Sequence, residues 1–192
     1  MASEIYIKPF GPEDLDEAKI FTDKWIGADY YGLDDMKNLL ESGTYNDQNA
    51  SFVAKEGEDI VGIRFTFAPG KWIENSPDNF RRCLSFDDWI IPSESMGYFK
   101  SLFIHENFQS KGLGRALSEK SLQVLKKMGA KGVLCHSWLE SPGNSSQRYL
   151  RKIGFAKMKK HPKFWYDVDY TCSRCGVGKC LCTALEMVKY LE

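Results

Sequence analysis

Apolar positions alternate with polar ones at the start of the chain. Ile5 and Ile7 fall on one side, Tyr6 and Lys8 on the other, and Pro9 closes the run. A period of two predicts a short strand, because successive side chains of an extended chain point to opposite faces. At Gly11-Pro12-Glu13-Asp14 the pattern changes, with proline in the first turn and acids beside the positive end of a helix. Leu15, Ala18, Phe21 and Trp25 then recur at helical spacing, and Leu33, Met36, Leu39 and Leu40 predict a second short helix that stops at Gly43. Residues 51–54 and 60–67, joined by a polar turn, read as an antiparallel hairpin.

Residues 70–97 interrupt this rhythm as a long insertion rich in acids and in aromatics (Trp72, Phe80, Phe86, Trp89), either a functional loop or a surface elaboration. Residues 98–105 read as a buried strand. Residues 112–128 form the clearest amphipathic helix, with Leu113, Ala116, Leu117, Val124, Leu125 and Met128 inward and Gly129 as the stop. Residues 131–138 give a parallel return strand. A short helix over 145–153 ends at Gly154, and after the run 155–169 and a cysteine-rich hairpin at about 170–183, residues 183–191 fit a last strand. The expectation is one domain spanning 1–192.

Composition narrows the class. A chain of 192 residues with 43% hydrophobic and 27% charged residues is long enough and apolar enough to bury its own core. Twenty-six basic residues balance twenty-six acidic ones, so no global field is available to hold nucleic acid. The first residues lack the basic start and apolar run of a signal peptide, and no stretch is long enough to span a bilayer; the expectation is a cytoplasmic protein without a membrane partner.

The sharpest local signal is Gln109-Ser110-Lys111-Gly112-Leu113-Gly114-Arg115, between a predicted strand and a predicted helix. Closely spaced glycines let backbone N–H groups converge. The helix start adds unpaired donors and partial positive charge, so the loop suits a pyrophosphate. It lacks the Gly-Lys-Ser or Gly-Lys-Thr end of a Walker loop and the third glycine of a dinucleotide fingerprint.

These residues resemble the signature of the GNAT acetyltransferases, Gln/Arg-x-x-Gly-x-Gly/Ala after a core strand, matched by Gln109, Gly112 and Gly114. Residues 102–108 look like that family's run-in, and residues 149–155 look like its later helix-to-strand motif. The resemblance covers nearly the whole chain and implies an α/β fold with a mixed, mostly antiparallel sheet flanked by helices. It implies acetyl-CoA as co-substrate and a primary amine as acceptor, with direct attack on the thioester. Leu102, Phe103 and Ile104 would offer backbone groups to the pantetheine arm, and residues Gln109, Ser110, Lys111, Gly112, Leu113, Gly114 and Arg115 would hold the pyrophosphate. Asn144 resembles the family asparagine that binds the cofactor arm, one residue off the commonest spacing, and reads equally as a helix N-cap.

Amine acetylation needs a base for the amine and a proton for the leaving thiolate. The family's tyrosine position falls on Leu150, which leaves the neighbouring Tyr149 as candidate acid, with a half-buried core tyrosine as the alternative. The family's strand acid has no counterpart, because Lys100 and Ser101 stand there. Glu140 and His136 are the candidate bases, each acting through water, against the alternatives of a solvent-facing acid and a packed strand histidine. A GNAT fold that binds acyl-CoA without catalysis, or an interaction protein built on the cysteines, are the competing functions. The sheet edges such a fold exposes suggest pairing into a homodimer.

Four of the six cysteines, Cys172, Cys175, Cys180 and Cys182, crowd into eleven positions. Cys172-Ser173-Arg174-Cys175-Gly176 has the spacing of a zinc knuckle. Cys180 and Cys182 would share a face of a regular strand, so a bend is needed to bring both to one structural zinc ion. A disulfide and free thiols are the other readings.

Overall fold

The first strand and helix are tied together by one buried acid. In the structure, a computed structural model that describes residues 4–28, 30–74 and 84–192, Asp14 takes the Gly11 amide at 3.0 Å and the Lys8 ammonium at 2.6 Å. These contacts fix the turn from β1 (Ile5–Pro9) into α1 (Leu15–Trp25). Helix α2 (Leu33–Gly43) follows, then a short ladder of β2 (Thr44–Tyr45) and β3 (Gln48–Asn49). The predicted hairpin is β4 (Phe52–Glu56) with β5 (Asp59–Phe67).

After one helical turn, α3 (Lys71–Glu74), the chain reaches β6 (Met96–Ile104), α4 (Leu113–Lys127) and β7 (Gly132–Trp138). Helix α5 (Ser145–Lys152), β8 (Ala156–His161) and β9 (Ala184–Tyr190) complete the domain. The large sheet has the order β1-β4-β5-β6-β7-β9-β8, and only the β6–β7 pair is parallel. This is the mixed, mostly antiparallel α/β architecture expected.

Helices α1 and α2 cover one face, where Phe21, Met36, Ile63 and Phe65 pack. Helices α4 and α5 cover the other, where Phe99, Leu125, Val133 and Leu150 meet. Full burial of each such side chain stabilises by about 1.5–3 kcal/mol relative to exposure. The two faces follow from the alternation of side chains along β5 and along β6 on each side of an irregularity at Lys100, which sends neighbours to opposite sides.

The insertion is partly a cover for the sheet. Trp72 and Trp89 are buried beside Met96, Tyr98, Leu134 and Val188, and the Trp72 indole donates to the Met96 carbonyl at 2.7 Å. Phe80 lies outside the described residues, as does the sixth cysteine, Cys83. One boundary differs from the sequence expectation: strand β6 begins at Met96, because Met96 pairs with Gly132. Within the run 155–169, Ala156–His161 form β8.

Candidate functional site

Strands β6 and β7 pair from Met96 with Gly132 to Phe99 with Cys135, and then separate. Strand β6 continues to Ile104 and β7 to Trp138, each held from its outer side by β5 and β9. At the point of separation β6 carries a bulge: Thr66 faces Phe99 and Phe65 faces Ser101, which leaves Lys100 without an opposite residue. A bulge frees backbone groups from the ladder and bends the strand. Lys100, Ser101, Leu102, Phe103 and Ile104 therefore line one arm of an open V. Burial pushes the Lys100 ammonium below its ordinary value, against an opposing pull from Asp35.

The predicted phosphate loop follows this arm. Gln109 donates its side-chain amide to the Ile104 carbonyl at 3.0 Å, which fastens the loop to the end of β6. Ser110 and Gly112 both adopt positive φ, 60° and 83°. The first bond into α4 runs from the Ala116 amide to the Gly112 carbonyl at 3.0 Å. Amides ahead of it have no acceptor within the helix, so they face outward at its positive end. Gly114 packs close to β6, where an added Cβ would lie 3.1 Å from Leu102 Cδ2. The Lys111 ammonium lies 5.5 Å from the Phe108 ring, and Arg115 pairs with Glu119 at 2.6 Å on the exposed side of α4. A recess of about 310 Å³ opens beside the loop, lined by Ile7, Phe108, Lys111, Gly112 and Leu113 among others.

On the α4–α5 side of the V, Leu150 is buried in the core while Tyr149 turns toward the sheet. The Tyr149 hydroxyl meets Ser118 of α4 and accepts from Arg64 Nη2 at 3.0 Å. Arg64 rises from β5 with only 2% of its surface exposed. Its guanidinium donates to Ser118 Oγ from Nε at 3.2 Å and from Nη2 at 3.1 Å, and it lies 4.2 Å over the Phe99 ring. Sequence reasoning passed over Arg64 and Ser118. The available signal was an arginine inside the apolar run Ile60-Val61-Gly62-Ile63-Arg64-Phe65. Cys135 is buried nearby; burial pushes its thiol up to about 11, with Arg64 pulling the other way, which suits a core residue.

Asn144 occupies the turn before α5 at φ 54°, and its side chain makes no N-cap bond. Its Oδ1 instead accepts from Gln147 at 3.5 Å.

On the opposite side of the V, His136 projects from β7 just past the last β6–β7 pair. Its Nδ1 lies 3.2 Å from the Tyr98 hydroxyl, and its ring stacks on Phe164 at 4.4 Å. Burial raises the Tyr98 phenol well above its usual value, so it stays neutral. Glu140 is occupied elsewhere: both carboxylate oxygens accept from the Thr183 amide, at 3.1 and 3.0 Å, which pins the entry to β9.

Beside His136 sit His161 and Glu186, whose ligating atoms lie within 4.8 Å of one another and of His136. The buried Glu186 carboxylate already receives Trp89 Nε1 at 2.8 Å, Ser85 Oγ at 2.9 Å and the Ser85 amide at 3.3 Å, with His161 Nε2 at 2.8 Å. With its lone pairs so engaged, this carboxylate is a hydrogen-bonded anchor for the insertion rather than an open ligand.

The four clustered cysteines converge, with all four sulfurs within 4.8 Å of one another. Residues 180–183 are not in a strand, which removes the shared-face restriction, and Gly176 turns the first pair with φ 72°. Cys172 and Cys175 lie 3.9 and 3.7 Å from the Cys182 sulfur. Four thiolates at about 2.3 Å from a tetrahedral zinc ion would stand roughly 3.8 Å apart, whereas a disulfide needs about 2.05 Å. Burial works against the Cys172 thiolate, yet the Cys175 and Arg174 amides hold that thiol down to about 6; burial raises Cys180 and Cys182. A divalent cation would let all four ionise together.

A line of aromatic contacts leads from this hairpin to the V. Tyr170 donates to Cys180 Sγ at 3.4 Å and meets the Tyr30 ring at 4.8 Å. Tyr30 packs on Tyr31 at 4.7 Å, and the Tyr31 hydroxyl lies 2.7 Å from Ser101 Oγ of β6.

Comparison with known proteins bears on family and fold. A model described as the acetyltransferase (GNAT) family matches residues 18–155. No curated protein matches. Among solved structures, the ribosomal-protein-S18-alanine N-acetyltransferase from Escherichia coli is 12% identical, with a TM-score of 0.66 over 98% of this chain and 95% of that one. A GNAT-family acetyltransferase from Streptococcus pneumoniae is 14% identical, with a TM-score of 0.67 over 98% and 100%. Arabidopsis thaliana NAA60, in complex with acetyl-CoA, is 15% identical, with a TM-score of 0.67 over 98% and 99%. At these identities the likeness is one of fold.

Proposed function

Because the chain belongs to the acetyltransferase (GNAT) family, we propose that it transfers acetyl from acetyl-CoA to a primary amine by direct attack of the amine on the thioester. The observation that carries this reading is the bulge at Lys100, placed where β6 leaves β7 and followed by the positive-φ loop at the start of α4. Backbone groups of Leu102, Phe103 and Ile104 would bind the pantetheine arm, and the amides of residues 110–115 the pyrophosphate. Asn144 would meet the arm from the other wall. The acceptor would enter from the side of Tyr31, Tyr98 and His136.

His136 is the better placed base. In the tautomer that carries hydrogen on Nδ1, the Tyr98 oxygen accepts it, and Nε2 is the nitrogen that would take the amine's proton, directly or through water. Glu140 is the weaker candidate, because releasing it would free the Thr183 amide. Tyr149 would return a proton to the CoA sulfur. Backbone amides that the Thr66/Phe65 register shift leaves out of the ladder would polarise the thioester carbonyl.

Cys172, Cys175, Cys180 and Cys182 fit one zinc ion in a closed four-thiolate site, which leaves no position for water or substrate and gives the metal a structural role. In a cytoplasmic protein the reducing compartment would keep these thiols available to the metal. No helix of the described residues is long and apolar enough to cross a membrane.

Release of CoA thiol from acetyl-CoA, screened against small amines, polyamines, peptide N-termini and lysine peptides, tests the activity. Tight CoA binding with no thiol release to any acceptor would replace the enzyme with an acyl-CoA-binding module.

A further inference from the structure

Arg64 is buried with 2% exposure and has no carboxylate partner among the described residues. Ordinarily a buried charge is paired, because desolvation costs several kcal/mol. Here the guanidinium is held by Ser118 Oγ, the Tyr149 hydroxyl and the face of Phe99, all neutral groups. Phe99 is the last β6 residue paired with β7, so the cation lies at the apex of the V on the side facing α4 and α5. Ser118 in turn donates to the Gly114 carbonyl at 2.9 Å, which ties the cation to the first turn of α4. A positive charge held only by neutral groups is available to stabilise negative charge that develops during a reaction.

We propose that Arg64 is a positioning residue for Tyr149, which it orients through Nη2 and whose phenolate it stabilises once the proton has left. This inference rests on the reading of Tyr149 as proton donor and deepens it. The amine nitrogen bonds to the thioester carbon, the C–S bond breaks, and its electron pair stays on sulfur. The proton on Tyr149 Oη, now directed at Ser118, passes to that sulfur to give the CoA thiol. The amine's surplus proton goes to His136, and exchange with solvent restores the phenol and the neutral imidazole. In the interval the phenolate lies against the guanidinium, and Ser118 keeps the two in register.

The test is a double-mutant cycle read by steady-state turnover, with CoA affinity from calorimetry and folding from circular dichroism. Arg64→Met should lower kcat by about 10- to 100-fold, with CoA affinity and acceptor KM changed by less than about threefold. Arg64→Lys should restore most of the loss. In a Tyr149→Phe background Arg64→Met should cost nothing further, because both act through one phenol. A folded Arg64→Met with wild-type kcat, or losses that multiply in the double variant, would overturn the inference while leaving Tyr149 as donor. Wild-type turnover in Tyr149→Phe alone would overturn both. Should Arg64→Met not fold, Ser118→Ala replaces it in the cycle, and a kcat loss independent of Tyr149 counts against the proposal.

Discussion

The Tyr98 hydroxyl lies 3.2 Å from Nδ1 of His136, joining β6 to β7 immediately around the residues where the two strands part. Tyr98 pairs with Leu134 across the parallel ladder, so its ring must lean forward to reach a histidine two positions on. That lean brings both side chains together on one side of the cleft.

If this pair manages the amine's proton, His136→Phe should keep the stack on Phe164 but lower kcat by about 10²-fold, within the usual range for loss of a general base. Tyr98→Phe should cost less. Thiol-release kinetics with a working acceptor, together with unchanged CoA affinity by calorimetry, would check this; wild-type turnover in His136→Phe would remove it as the base.

Gly112→Val should fold, because a Cβ there meets no protein atom within 4 Å. Its φ of 83° makes any side chain strained, at a cost of roughly 1–2 kcal/mol. The branched side chain would also occupy the space in which a pyrophosphate must approach the backbone. CoA affinity should therefore fall by at least about tenfold, and calorimetry showing wild-type affinity in the folded variant would move the phosphate site elsewhere.

Elemental analysis of protein prepared without chelator should find about one zinc per chain, lost in Cys175→Ser. Removal of the metal should increase hydrogen exchange in residues 168–183. It should do the same in the Tyr30–Tyr31 turn, because Tyr170 packs on Tyr30. Metal-free protein with unaltered thermal stability would exclude the site, and metal-dependent change confined to the hairpin would limit its reach.

Glu186→Gln should destabilise the fold by about 3 kcal/mol, since a buried carboxylate that accepts from Trp89 and Ser85 and contacts His161 becomes an amide with two hydrogens facing donors. Denaturant titration would measure it. A loss below about 0.5 kcal/mol would mean that the insertion is not anchored through this residue.

Much of the architecture was legible because it is local. Helix α4 was set by apolar residues from Leu113 to Leu125 at helical spacing, and the β6–α4–β7 crossover by a strand, a glycine loop and a second strand in order. The glycine loop ahead of α4 belongs to the same class, since closely spaced glycines before a helix determine their own backbone geometry. The cysteine cluster was legible as a spacing.

What the tertiary structure alone decided depends on register and on meetings between distant segments. A one-residue bulge at Lys100 leaves no mark in hydrophobic periodicity, yet it decides which backbone groups of β6 are free. Tyr149 and Leu150 are adjacent in sequence, and only packing assigns Leu150 to the core and Tyr149 to Arg64 and Ser118. Glu140 looks available to the cleft until β9 brings the Thr183 amide beneath it. Cys180 and Cys182 were awkward partners in a strand, and they converge because the chain over 180–183 is released from the sheet before Ala184 joins β7. Periodicity reports which face of its own element a residue occupies. Which groups from other elements wait on that face is settled only when the sheet closes and the helices dock.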